Sequence, residues 1–177
     1  MKHFSAIILA CALAIPAFAQ DAKTKSADAA AQAPGQTLAA SAAVLTAPIV
    51  LTNDAIVLIG DAMAEGTNGG SAVFTFTITE AGSYVFEALV NAADDNSNSF
   101  LANVDDQPTD PDMIWDVDVT MGFEKRVLSW RGTGDASSEQ FAPKRFTLTA
   151  GTHKLILNGR EPDTQLKSLT IRPAPAQ

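Results

Sequence analysis

From Val44 onward the chain is a series of short runs rich in Val, Ile, Phe and Thr, each bounded by Gly, Asn, Asp or Pro. That texture predicts strands separated by turns. The runs are Ile49–Thr52, Ala55–Ile59, Ala72–Thr79, Ser83–Ala92, Ser99–Val104, Ile114–Val119, Lys125–Trp130, Arg145–Thr149, Lys154–Asn158 and Leu166–Arg172. Several alternate with period two. In Val73–Thr79, Phe74, Phe76 and Ile78 share one face and Thr75, Thr77 and Thr79 the other; in Arg145–Thr149, Phe146 and Leu148 oppose Thr147 and Thr149. One buried and one wet face is the pattern of an antiparallel sheet. Tyr84–Val90 carries apolar residues on both faces, which predicts a central strand. No segment holds a helical period for about twelve residues between caps. The fold class expected is all-β, an antiparallel two-sheet sandwich or jelly roll.

One device occurs twice. Phe74-Thr75-Phe76-Thr77-Ile78-Thr79-Glu80-Ala81-Gly82-Ser83-Tyr84 is echoed by Phe146-Thr147-Leu148-Thr149-Ala150-Gly151-Thr152-His153. Each reads as a strand, a tight turn around a glycine and a second strand, that is, as a hairpin.

The segment before Val44 has a different character. Lys2 and His3 precede an apolar run from Phe4 to Ile15, too short for a membrane span, and Pro16 ends it. Ala17-Phe18-Ala19 places small residues where a signal peptidase reads, so residues 1–19 are expected to be a signal peptide and Gln20 the first mature residue. Ile8-Leu9-Ala10-Cys11 loosely matches a lipoprotein signal, but the apolar stretch ahead of Cys11 would then be very short. Residues 20–43, rich in Ala, Gln, Ser, Lys and Asp around Pro34-Gly35, bring too little apolar area to offset ordering entropy and read as a disordered leader. Residues 44–173 are the sandwich domain and 174–177 a tail.

Cys11 is the only cysteine and leaves with the signal, so the mature chain has neither disulfides nor thiol chemistry. A periplasmic or secreted location follows as an expectation. Twelve basic residues face 20 acidic ones, a net charge of −8, which repels nucleic acid and anionic membranes. Beyond the leader no segment approaches the length of a membrane span. His153 is the only histidine of the mature chain, and no nucleophile elbow, zinc-protease helix motif or phosphate loop is present. That inventory speaks against an enzyme.

Gly70-Ser71 opening a Thr-rich strand, Ala81-Gly82-Ser83-Tyr84, Asn98-Ser99-Phe100 leading to Val104-Asp105, Ala150-Gly151-Thr152-His153, and Arg160-Glu161 ahead of a strand at Leu166 follow one another over residues 54–172. In order and spacing they resemble the β-sandwich carbohydrate-binding modules of families six and thirty-five and their galactose-binding-like relatives. The resemblance implies a jelly roll that binds polysaccharide or glycan through loops at one end. It also implies a structural calcium held by early acidic residues and an Asp of the last strand. Here the early position falls near Asp54 and the late one on Lys167, a cation, so no metal or other cofactor is expected. The sugar-binding Asn that such modules carry before the last strand corresponds to Gln165, which makes Asp163-Thr164-Gln165 the first choice for ligand contact.

Sugar recognition calls for an aromatic platform and planar polar groups. Trp115, in an acidic, Pro-containing stretch, is either that platform or a core residue. Trp130 shares a face with Leu128 and reads as core. Asn96 and Asn98 either bind hydroxyls or serve the turn that contains them. Arg160 and Glu161 pair with each other or with ligand. Asp105, Asp106, Asp110, Asp112, Asp116 and Asp118 read as a solvated acidic loop, since their spacing is not that of a helix-loop-helix calcium site. The expected function is non-catalytic carbohydrate binding through Trp115, Asn96, Asn98, Arg160, Glu161, Asp163 and Gln165. The alternative is a structural or adhesive protein using the same fold without a sugar site. A small hydrolase or lyase is a third reading. The sequence sets no oligomeric state.

Overall fold

A computed structural model describes residues 35–60, 69–131 and 141–176. The expected signal peptide and most of the expected leader lie outside these described residues. The strands are β1 Gln36–Ala39, β2 Val44–Thr46, β3 Ile49–Thr52, β4 Ala55–Leu58, β5 Ser71–Ile78, β6 Gly82–Asn91, β7 Ser99–Val104, β8 Ile114–Asp116, β9 Glu124–Val127, β10 Phe146–Leu148, β11 Gly151–Gly159 and β12 Gln165–Pro173.

They form two antiparallel sheets, the sandwich expected from the pattern. In the seven-stranded sheet β6 and β12 are central; β9 and β10 flank β6, while β1 and β4 flank β12, with β3 outside β4. The other sheet runs β2-β5-β11-β7-β8. Alternation decides what lies between them. Ala72, Phe74, Phe76 and Ile78 of β5 point inward, as do Phe86, Ala88 and Val90 of β6 and Leu155 and Leu157 of β11. β6 also buries Val85 on its other face, as befits a strand paired on both sides.

Two expectations are corrected. The twin strand-turn-strand units are not hairpins. β5 and β6 lie in different sheets, and so do β10 and β11. Each Gly-containing turn arches across the sandwich, and the arches pair with each other: Gly82 faces Leu148 in one sheet and Gly151 faces Ile78 in the other. Period-two patterning reports which face of a strand is apolar and is silent about its partner. The true two-residue hairpin joins β3 to β4 through Asn53 and Asp54, both at positive φ, a conformation that Asn and Asp tolerate.

The second correction concerns the leader. Gln36–Ala39 forms a strand and Ala40–Ala42 a 3-10 turn within the stretch expected to be a disordered leader. Gln36–Ala39 pairs with Ser168–Ile171, Thr37 and Thr170 hydroxyls meet at 2.9 Å, and Ala40 is fully buried. A strand of small and polar residues is held here by a backbone ladder along β12, which compares poorly with free chain only when judged by its own apolar content. The tail is also tied back, with the Ala174 N–H donating to Ser83 O and Arg145 to Pro175 O.

Gly70 carries a positive φ of 73°, and a Cβ there would run into the carbonyl of Thr46. Glycine is thus required where β5 starts beside β2.

Candidate functional site

The end of the sandwich where β6 finishes and β12 starts is built from four connections. Asp95 and Asn98 come from the β6–β7 loop, Val117–Val119 follow β8, Arg131 and Phe141 belong to the stretch between β9 and β10, and Glu161 sits in the β11–β12 loop. Together with Asp116 they line a cleft of about 310 Å³.

Two ion pairs shape its floor. Arg131 holds Asp116 with both arms of its guanidinium, Nε to Oδ2 at 2.7 Å and Nη2 to Oδ1 at 2.6 Å. Such bidentate pairing fixes geometry as well as charge. The carboxylate of Asp116, aided by Glu161 and Asp110 nearby, holds the Arg131 guanidinium even more firmly in its charged form than usual. Arg160 donates from Nη1 to Ser99 Oγ and to Glu161 Oε1, each at 2.6 Å. The other oxygen of Glu161 accepts the backbone N–H of Asn98 at 3.1 Å. Glu161 therefore clamps the β6–β7 loop to the β11–β12 loop and presents Asn98 to the cleft.

The sequence-derived candidates separate on these facts. Asn98 and Glu161 line the cleft, and Arg160 supports Glu161 from a half-buried position. Trp115 is not a platform: it is 0% exposed, its ring lies 6.0 Å from Phe100, and its Nε1 donates to Val127 O at 3.0 Å. Its place on β8 opposite Phe100 turns it toward the space between the sheets. Asn96 is exposed and its N–H bonds Asp94 Oδ1, the turn chemistry rather than a contact in the cleft. Asp163 sits exposed in a turn at φ 60°, its N–H on Leu58 O. Gln165 lies on the seven-stranded sheet between Asn91 and Val57 and does not line the cleft. Trp130 packs against the core, bonds Ala102 O and is covered by the Lys144 ammonium 3.9 Å from its ring centre.

Sequence reasoning missed Asp116 and Phe141 and grouped Asp105 and Asp116 with a solvated loop. The signal for Asp116 was its position between Trp115 and Val117 in a strand, where a lone carboxylate needs a partner. Asp105 has another role. His153 is buried, with Nδ1 2.7 Å from Asp105 Oδ2 and Nε2 2.9 Å from Thr149 O. Both partners accept, so only the doubly protonated ring satisfies both. The hydrogen bond to Asp105, with that to Thr149, raises the His153 pKa. Burial pushes Asp105 up, but the bonds from His153 and the Lys154 N–H outweigh it and its pKa is lowered.

The His153 contribution is complete below the ordinary value of 6.5 and is lost as pH rises through the elevated folded value. The Asp105 contribution is present above 3.8 and is lost as pH falls through its depressed folded value. Urea midpoints measured across pH are expected to peak between those two limits and to decline on the alkaline side. Asp105→Asn, which suits the positive φ of 66° at that position, should flatten the alkaline decline.

Of the calcium positions implied by the resemblance, the late one is Lys167. The Lys167 ammonium stands 4.3 Å from the centre of the Phe123 ring, an interaction of a cation rather than of a metal ligand. Among the described residues no three carboxylates or imidazoles converge on one point.

No family model and no curated protein matches the sequence. Solved structures do share the fold. A family 35 carbohydrate-binding module from Clostridium thermocellum is similar at a TM-score of 0.50 and 15% identity, over 80% of this chain and 100% of that one. The GH26-CBM35 beta-(1,4)-mannanase of Podospora anserina matches at TM-score 0.56 and 12% identity, over 81% of this chain and 28% of that one. The exo-beta-1,3-galactanase of Phanerochaete chrysosporium matches at TM-score 0.50 and 14% identity, over 78% of this chain and 29% of that one. This chain thus spans under a third of either enzyme and the whole of the isolated module. The protein has the β-sandwich fold of carbohydrate-binding modules. Among the described residues no helix is long and apolar enough to cross a membrane.

Proposed function

We propose that this is an exported, non-catalytic carbohydrate-binding protein and that its ligand site is the cleft between Asn98, Arg131 and Phe141. The observation that carries the reading is the cleft itself: an opening with a partly exposed aromatic ring, an Asn98 side-chain amide without a bonding partner among the described residues, and an ion-paired floor held by Arg131–Asp116 and Arg160–Glu161. A sugar ring offers an apolar C–H face to an aromatic side chain and hydroxyl pairs to planar amides and guanidinium groups. The Phe141 ring takes the part that sequence reasoning gave to Trp115. The shared fold with a carbohydrate-binding module supports the reading, and fold by itself does not fix function.

The end of the sandwich opposite the cleft holds Gln36 beside Ile171, and Pro173 beside Tyr84. Strand β1 thus begins at the end of the sandwich away from the cleft. Titration of the chain with a panel of glycans is expected to yield binding that Asn98→Ala weakens by about tenfold, roughly 1.4 kcal/mol, with melting unchanged. Asn96→Ala should alter neither. A panel in which nothing binds, or in which the two variants behave alike, rejects the proposal. Sequencing of the exported protein is expected to begin at Gln20.

The structural or adhesive alternative draws on one feature, the fully exposed Met121 and the 41% exposed Val119 in the β8–β9 loop beside the cleft. Exposed apolar side chains at a loop tip suit a protein contact.

A further inference from the structure

Resting on the cleft as the glycan site, we propose that it selects its ligand by charge, taking oligosaccharides with free amino groups ahead of neutral ones and excluding uronates. Charge selection follows from which groups are still able to bond. Both oxygens of Asp116 are occupied by Arg131, and this pair is close to neutral. Both oxygens of Glu161 are occupied, by Arg160 and by the Asn98 N–H. That leaves two acidic groups uncommitted or nearly so. Among the described residues Asp95 has no bonding partner, and Asp118, with its side chain 63% exposed, reaches Arg126 only at 4.0 Å. Both line the cleft.

Among the described residues the side-chain donors lining the cleft are the Asn98 amide and the Arg131 guanidinium, whose charge Asp116 already offsets. Among the described residues, an incoming carboxylate or sulfate would meet the carboxylates of Asp95 and Asp118, the latter only distantly paired, and a guanidinium already paired with Asp116. A hydroxyl finds acceptors on Asp95 and Asp118, and an ammonium finds the same acceptors with opposite charge. Charge-assisted bonds are about twice as strong as neutral ones, but exposure and salt reduce that advantage. The preference for amine over acetylated sugar is thus set at roughly threefold to tenfold at low ionic strength.

The experiment titrates the full chain at mildly acidic pH and low salt with three tetrasaccharides: glucosamine, N-acetylglucosamine and galacturonate. The amine form is expected to bind several-fold tighter than the acetylated form, and the galacturonate not measurably. Asp95→Asn/Asp118→Asn should bring the amine down to the affinity that the same variant shows for the acetylated sugar, so that the ratio between the two falls to about one. A control pair, Asp54→Asn/Glu80→Gln, makes the same charge change away from the cleft and should keep the preference. Equal binding of amine and acetylated forms, tighter binding of galacturonate, or loss of preference in the control pair overturns the charge selection while leaving the glycan site standing. Binding of none of these and of no neutral glycan removes both.

Discussion

Trp115→Ala is expected to lower stability by about 3–5 kcal/mol, the range for emptying a large aromatic site in a packed core. Trp115 is among the largest fully buried side chains of the sandwich, and it contacts Phe100 on the neighbouring strand. Its loss also strips the Val127 carbonyl of a donor and so frees β9, a short edge strand beside β6. Trp115→Phe should cost less, about 1–2 kcal/mol, because most of the volume stays and only the hydrogen bond goes. Urea unfolding followed by far-ultraviolet circular dichroism measures both. Glycan affinity of the folded Trp115→Phe variant should match that of the parent chain. A Trp115→Phe variant that folds with full stability yet fails to bind would restore Trp115 as a ligand contact and displace the cleft from its role.

Arg131→Ala is expected to act on stability and on binding together. Asp116 is 9% exposed at its side chain and Arg131 43%, so the pair lies between a buried bridge and a surface one. Removing the cation from a fully buried pair costs about 3–5 kcal/mol; the exposure of Arg131 reduces that to about 1–3 kcal/mol. Asp116→Ala alone leaves an Arg that can turn to water and should cost less. The double variant should be more stable than the sum of the two singles predicts, with a coupling of about 1–2 kcal/mol. Glycan affinity should fall about tenfold in Arg131→Ala, since the floor that fixes Val117–Val119 is loosened and a donor is gone. Additive effects in this cycle would mean that the two side chains act independently, contrary to the 2.6 and 2.7 Å contacts between them.

Most of the strands were legible because their side chains alternate. Ser99–Val104 emerges with the bounds the pattern predicts, and β5, β6, β11 and β12 differ from it only at their ends. The edge strand β1 was not legible, because Gln36, Thr37, Leu38 and Ala39 become a strand only through the ladder offered by β12. Trp115 and Trp130 could not be told apart as platform or filler from their neighbours in sequence; burial depends on what the opposite sheet places against them. At the candidate site, Asn98, Arg160 and Glu161 were picked from one linear stretch each, and they meet because the β6–β7 and β11–β12 loops share one end of the sandwich. Phe141 and Asp116 were passed over for the same reason in reverse: neither carries a local pattern that marks it.

By itself the sequence determined that this protein is all-β, which faces of its strands are apolar, and that its residue inventory lacks the familiar catalytic motifs. Those are properties of short windows, since a strand's period and a turn's glycine are set by neighbours a few positions away. Tertiary structure alone decided that the two glycine turns are arches between sheets rather than hairpins. It also decided that Trp115 is core, and that Arg131, Asp116, Asn98 and Glu161 converge on one cleft. Strand pairing and salt-bridge partners are non-local choices, fixed by which of many compatible surfaces come together with every buried polar group satisfied.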